Sequence, residues 1–150
     1  KAGVRDRPKR AATDSGLAAE EALCSRHRGR RVLLVDDDPL ARDVAKDLLE
    51  HAGLTVDLAE NGLQAVDLAR RNAYDLVLMD IAMPKMDGLA ATRIIRTLAG
   101  RAQVPIVALT ANAFVEDKER CLAAGMNDHL AKPIVAASLF AKLLGWLDGS

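Results

Sequence analysis

Aromatic side chains are scarce: one Trp, one Tyr and two Phe among 150 residues, although half the chain is apolar. A core built from such a chain must be aliphatic and alanine-rich. Cysteine is scarce too. Cys24 and Cys121 lie far apart and belong to no CxxC pair or metal-ligand set, a usage that fits a reducing cytosol. No apolar run approaches the ~18 residues that span a membrane, and the first residues lack the apolar core of a signal peptide. Ten glycines are scattered, none in a GxGxxG or P-loop spacing, so no nucleotide-cradling loop is present. Net charge is absent as well, but its zero hides an asymmetry. Residues 1–31 carry +5 and the remainder −5. The folded part is therefore acidic, and no nucleic-acid partner is expected for it.

The length allows one domain with a real core plus a tail. Residues 1–30 are expected to be a basic, mostly unstructured linker in which Leu17–Leu23 could form one or two helical turns. Residues 31–148 read as the domain. The chain starts at Lys1 rather than Met, as a piece of a longer protein would.

From Val32 the punctuation becomes regular. Short apolar runs at Val32–Val35, Thr55–Leu58, Tyr74–Met79, Val104–Leu109 and Asp128–Ala131 predict five strands. Between and after them, helical periodicity predicts five helices. These start near Pro39, Gly62, Leu89, Ala113 and Ala136. Pro39 suits a first helical turn, and Gly53 and Gly125 suit C-terminal caps. Strict alternation of strand and helix argues for an α/β fold with a parallel sheet covered on both faces.

Four of the runs end on reactive residues: Asp36 and Asp37, Asp80, Thr110, and Lys132. In such sheets, ligands bind outside the carboxyl ends of the strands. Three carboxylates, a hydroxyl and an ammonium would converge at one edge. Oxygen-only acids suit Mg2+, Asp80 at a central strand end suits a nucleophile, and Lys132 and Thr110 suit the oxygens of a phosphoryl group. Asp38, before Pro39, reads as a helix N-cap. His27 and His51 read as solvated, and Cys121 as a small buried hydrophobe.

On these residues the chain resembles the receiver domain of two-component response regulators. The matching stretches are VLLVDDDP (Val32–Pro39), LVLMDIAMPKMDG (Leu76–Gly88), PIVALTAN (Pro105–Asn112) and AAGMNDHLAKPI (Ala123–Ile134). They look most like receivers of hybrid sensor histidine kinases. The resemblance implies a doubly wound, flavodoxin-like sheet in strand order 2-1-3-4-5. It also implies a phosphorelay role, in which Asp80 takes a phosphoryl group from a phosphohistidine. By position, Asp36, Asp37, Asp80 and the backbone carbonyl of Ala82 match the magnesium ligands. Lys132 matches the phosphate-binding lysine, with a cis peptide to Pro133, and Thr110 the switch hydroxyl. His129 stands where many receivers carry a switch Tyr or Phe.

By the same resemblance, Ala82 and Asn112 would flank the path of a hydrolytic water and are expected to tune the phosphoryl half-life. The resemblance implies that the isolated domain catalyses its own phosphorylation and dephosphorylation. Its partners would be a histidine kinase or a histidine-phosphotransfer domain, docked on the helix from Pro39, with Arg42 a candidate contact. It further implies a cytoplasmic location, any membrane anchor being left to the parent kinase. The competing reading is a Mg-dependent phosphatase of the haloacid-dehalogenase type using Asp36 of Asp36-x-Asp38, against which Leu40 stands where Thr or Val is expected.

Overall fold

Alternate residues of each run face opposite ways along an extended strand, so a run apolar throughout needs cover on both sides. The computed structural model meets that need. It describes residues 11–81, 83, 86–98, 100–110, 115–132 and 134–149, without the side chains of 11–17, 115–118 and 149. In order, the elements are α1 (Ala11–Arg26), β1 (Arg31–Val35), α2 (Pro39–His51), β2 (Thr55–Ala59), α3 (Gly62–Arg71) and β3 (Leu76–Asp80). There follow α4 (Gly88–Thr97), β4 (Ile106–Thr110), α5 (Val115–Ala124), β5 (Asp128–Ala131) and α6 (Ala136–Gly149). The strands form one parallel sheet in the order β2-β1-β3-β4-β5, as the resemblance implies.

Two aliphatic layers sandwich this sheet. Val32, Leu34, Leu76, Leu78, Val107 and Leu109 pack against Leu49 of α2 and Leu139, Phe140 and Leu143 of α6. Leu33, Val35, Val77, Met79, Ile106 and Ala108 pack against Ala65, Leu89, Ile95 and Cys121 of α3, α4 and α5. Cys121 is buried, as its apolar setting suggests. Asp38, Asn61 and Asp87 cap α2, α3 and α4 through their side chains, each accepting a first-turn backbone N–H.

Within residues 1–30, expected to be mostly unstructured, the structure has a helix; residues 1–10 lie outside the described residues. This helix, Ala11–Arg26, makes six among the described residues, and it lies along α6. Leu23 is fully buried and Ala19 nearly so, in the same layer as Leu143 and Leu147. The Ala, Leu and Glu of this stretch are strong helix formers, and its small residues permit close approach. Beyond it, Gly29 donates its N–H to the Gly53 carbonyl at 2.8 Å. His27 is likewise not solvated: it is buried, with Nε2 2.6 Å from Asp148 Oδ1. His51 does stay exposed near the C-terminus of α2.

Two strands start later than the apolar runs do. Pro105 has no N–H to give to the ladder and precedes β4, though its carbonyl accepts from Val77 N at 2.9 Å. Tyr74 precedes β3 and turns its phenol to Asp57, at 2.6 Å.

Candidate functional site

Parallel register brings the strand ends into line. Val35 pairs with Met79, Asp80 with Leu109 and Thr110 with Ala131. Asp36, Asp80, Thr110 and Lys132 therefore gather at one edge of the sheet, around the end of central β3. Asp36 follows β1 directly and is 1% exposed, and Asp80 is 4% exposed; Asp37 reaches solvent. Carboxylate oxygens of Asp36, Asp37 and Asp80 lie within 4.8 Å of one another. Three oxygen donors without His or Cys suit a hard cation such as Mg2+ rather than a softer metal.

Charges of one sign crowded this closely need a counter-charge. Lys132 supplies it from the end of β5. Its Nζ stands 3.0 Å from Asp36 Oδ2 and 3.1 Å from Asp80 Oδ2, while its backbone N–H donates to the Thr110 carbonyl at 2.7 Å. Burial alone would lower the Lys132 ammonium below its ordinary value; the two carboxylates outweigh burial and raise it. Thr110 is 2% exposed, and its Oγ1 is a buried hydroxyl without a hydrogen-bond partner among the described residues. Such a hydroxyl, at the mouth of an anionic pocket beside a lysine, fits an oxygen of a phosphoryl group.

Two neighbours have roles at the site that the sequence does not disclose, although Arg42 is expected as a docking contact and Gly88 stands in a matching stretch. Arg42 donates to the Asp36 carbonyl at 2.8 Å and so braces the acid pair; no spacing rule flags a bond to a backbone six residues earlier. Gly88 packs so closely on the Asp80 carbonyl that a Cβ would collide with it, a constraint that the dipeptide Asp87-Gly88 only hinted at. Asp38 behaves as read, Oδ1 accepting from Leu40 N at 3.1 Å.

His129, on edge strand β5, is half-buried. Its Nδ1 lies 3.8 Å from Asp128 Oδ1. Asp128 also accepts from Lys142 Nζ and Trp146 Nε1, each at 2.9 Å. Burial would raise the Asp128 carboxyl, but these bonds and that from His129 N hold it below the usual range. Ala82, Asn112 and the peptide to Pro133 fall outside the described residues.

The comparisons agree with this geometry. The family model described as the response regulator receiver domain matches residues 32–144. The signal transduction histidine-protein kinase BarA of Escherichia coli is 44% identical over 119 residues, which is 79% of this chain and 13% of BarA. The chain thus spans a small part of that relative. A solved receiver domain of a Pseudomonas aeruginosa sensor histidine kinase, with magnesium coordinated in its active-site cleft, is 47% identical. It superposes with a TM-score of 0.75, covering 81% of this chain and 99% of its own. The co-crystal structure of the Saccharomyces cerevisiae phosphotransfer protein Ypd1 with the receiver domain of Ssk1 matches at 30% identity and TM-score 0.74. That match covers 79% of this chain and 89% of the other. The chain belongs to the response regulator receiver domain family.

Proposed function

We propose that this chain is a phosphoryl-accepting module of a phosphorelay, with Asp80 as acceptor. The observation that carries the reading is the Asp80 carboxylate at the end of central β3, clustered with Asp36 and Asp37 and 3.1 Å from Lys132 Nζ. Asp36, Asp37 and Asp80 have the donors to hold Mg2+, which when bound offsets the charge on phosphoryl oxygens. An Asp80 oxygen attacks the phosphorus of a phosphohistidine. The new O–P bond forms as the N–P bond breaks, and the imidazole leaves.

Lys132 turns from the carboxylates to a phosphoryl oxygen, and the Thr110 hydroxyl donates to another. Its movement would let His129 swing inward, altering the β5 surface. Ala82 and Asn112 remain proposed rate-tuning positions.

The parent is proposed to be a hybrid histidine kinase, on the strength of the match to BarA. The partner is proposed to be a histidine kinase or phosphotransfer domain, by likeness to the Ypd1 complex. Leu40 and Val44 on α2, 73% and 48% exposed beside the acid cluster, offer it an apolar landing. Arg42 is tied to Asp36 and is not a clean docking probe. The acidic charge of residues 32–150 argues against nucleic acid. A cytoplasmic setting is part of the same proposal; among the described residues no helix is long and apolar enough to cross a membrane. The dehalogenase-type reading finds no support here. Asp38, its second aspartate, is committed to capping α2, and Asp36 is buried against Lys132.

The test is intact mass after incubation with phosphoramidate and magnesium. One phosphoryl group should be gained by the wild type and lost both without magnesium and in Asp80→Asn. Equal gain in Asp80→Asn would place the nucleophile elsewhere.

A further inference from the structure

The loop leaving Asp80 is fastened from a neighbouring βα unit, at Gly62. The first N–H groups of a helix have no partner within it. At the start of α3, Asn61 is nearly buried, and its Oδ1 accepts from Gln64 N at 2.9 Å; Glu60 N donates in turn to Gln64 Oε1 at 2.8 Å. This reciprocal cap fixes where the helix begins and leaves the Gly62 N–H directed outward. It donates to the Met86 carbonyl at 3.0 Å. The approach is possible only without a side chain. A Cβ on Gly62 would land on the Met86 carbonyl oxygen and stand 2.9 Å from Met86 Cβ and Cγ.

The loop's other anchor is Gly88, whose N–H donates to the Ile81 carbonyl at 3.2 Å and which packs on the Asp80 carbonyl. Gly88 directly follows the loop as the first residue of α4. Gly62 belongs to a different βα unit, and it holds the returning end of the loop, at Met86, two residues from that anchor.

We propose that Asn61 and Gly62 are positioning residues for phosphorylation: they set the height of the Met86–Gly88 backbone and, through it, the Asp80–Ile81 backbone that carries the acceptor. The inference rests on Asp80 being the acceptor. Near-attack geometry is sensitive to displacements of about an ångström, which can cost about a hundredfold in rate. An added methyl at Gly62 must push the Met86 carbonyl back.

The test follows intact mass over time, with phosphoramidate and saturating magnesium, in the wild type, Gly62→Ala, Asn61→Ala and Leu63→Ala. Gly62→Ala should lower the rate constant about tenfold to a hundredfold, and Asn61→Ala should lower it by less. Leu63, 52% exposed, is the control and should leave it unchanged. A merely structural role would shrink the fraction of protein that reacts while leaving the rate constant of that fraction at the wild-type value. That outcome overturns the proposal. If Gly62→Ala fails to fold, Asn61→Ala decides alone, and a wild-type rate constant there overturns it equally. A wild type that gains no phosphoryl group, or gains one equally in Asp80→Asn, overturns the receiver reading itself. That failure is distinguishable because it needs no change at 61 or 62.

Discussion

Tyr74 illustrates how much of a side chain's chemistry is set by residues remote in sequence. Its phenol donates to Asp57 Oδ2 at 2.6 Å, and the Arg31 guanidinium lies 5.3 Å from its ring centroid while bonding the same carboxylate at 2.9 Å. Burial first, then the Asp57 carboxylate, disfavour the phenolate, and the pKa is pushed from 10.0 up to about 12. A raised value means that the folded state prefers the proton. The contribution to stability is whole below pH about 10 and is lost as pH rises through about 12. Tyr74 is the chain's one tyrosine, so tyrosinate absorbance reports it alone. The folded chain should titrate near pH 12, and Asp57→Asn should move the midpoint part of the way back towards 10, burial being untouched. A wild-type midpoint near 10, with circular dichroism still native, would remove the contact. Lys132 obeys the same logic with the opposite charge. No local pattern at Lys132-Pro133 says that its ammonium will bridge two carboxylates from β1 and β3.

Helix α1 is the element that the sequence left least legible. Its apolar residues make no stripe like that of Ala41, Val44, Ala45, Leu48 and Ala52 in the next helix. Among its described side chains, Ala19 and Leu23 are the ones buried against the rest of the core. Its closing contacts are also remote: Asp148, 121 residues beyond His27, takes His27 Nε2 at 2.6 Å and Arg26 Nη1 at 2.7 Å. Strands β1, β3 and β4, by contrast, declare themselves because both their faces are buried, and they and β5 lead into residues whose chemistry makes sense only together. Leu23→Ala tests whether α1 belongs to the folded unit. It should cost about 2–5 kcal/mol in urea unfolding, the range for a fully buried leucine. A cost within about 0.5 kcal/mol, typical of exposed positions, would return α1 to the status of a linker.

At the scale of the whole molecule, the sheet places its chemistry at one edge, and what lies beside that edge decides who reaches it. Most of the aliphatic side chains are consumed by the two layers against the sheet. Leu40 and Val44 are exceptions, one helical turn apart on α2 and exposed next to the acid pair Asp36 and Asp37. Residues four apart share a helix face, so the two make one apolar strip. A small-molecule phosphodonor needs only the pocket. A protein donor must also rest on a surface, and apolar anchors near the centre of an interface dominate its energy. Substitution by glutamine keeps the field at Asp36 and Asp37 unchanged, since no charge is added, and surface changes of this kind scarcely alter folding. Leu40→Gln with Val44→Gln should therefore leave phosphorylation by phosphoramidate at the wild-type rate. Transfer from a phosphorylated histidine-phosphotransfer domain should slow about tenfold or more, the factor that about 1.4 kcal/mol of lost contact implies. Equal slowing with both donors would assign the strip to the acceptor site itself, and equal rates with both would place the docking face on another helix.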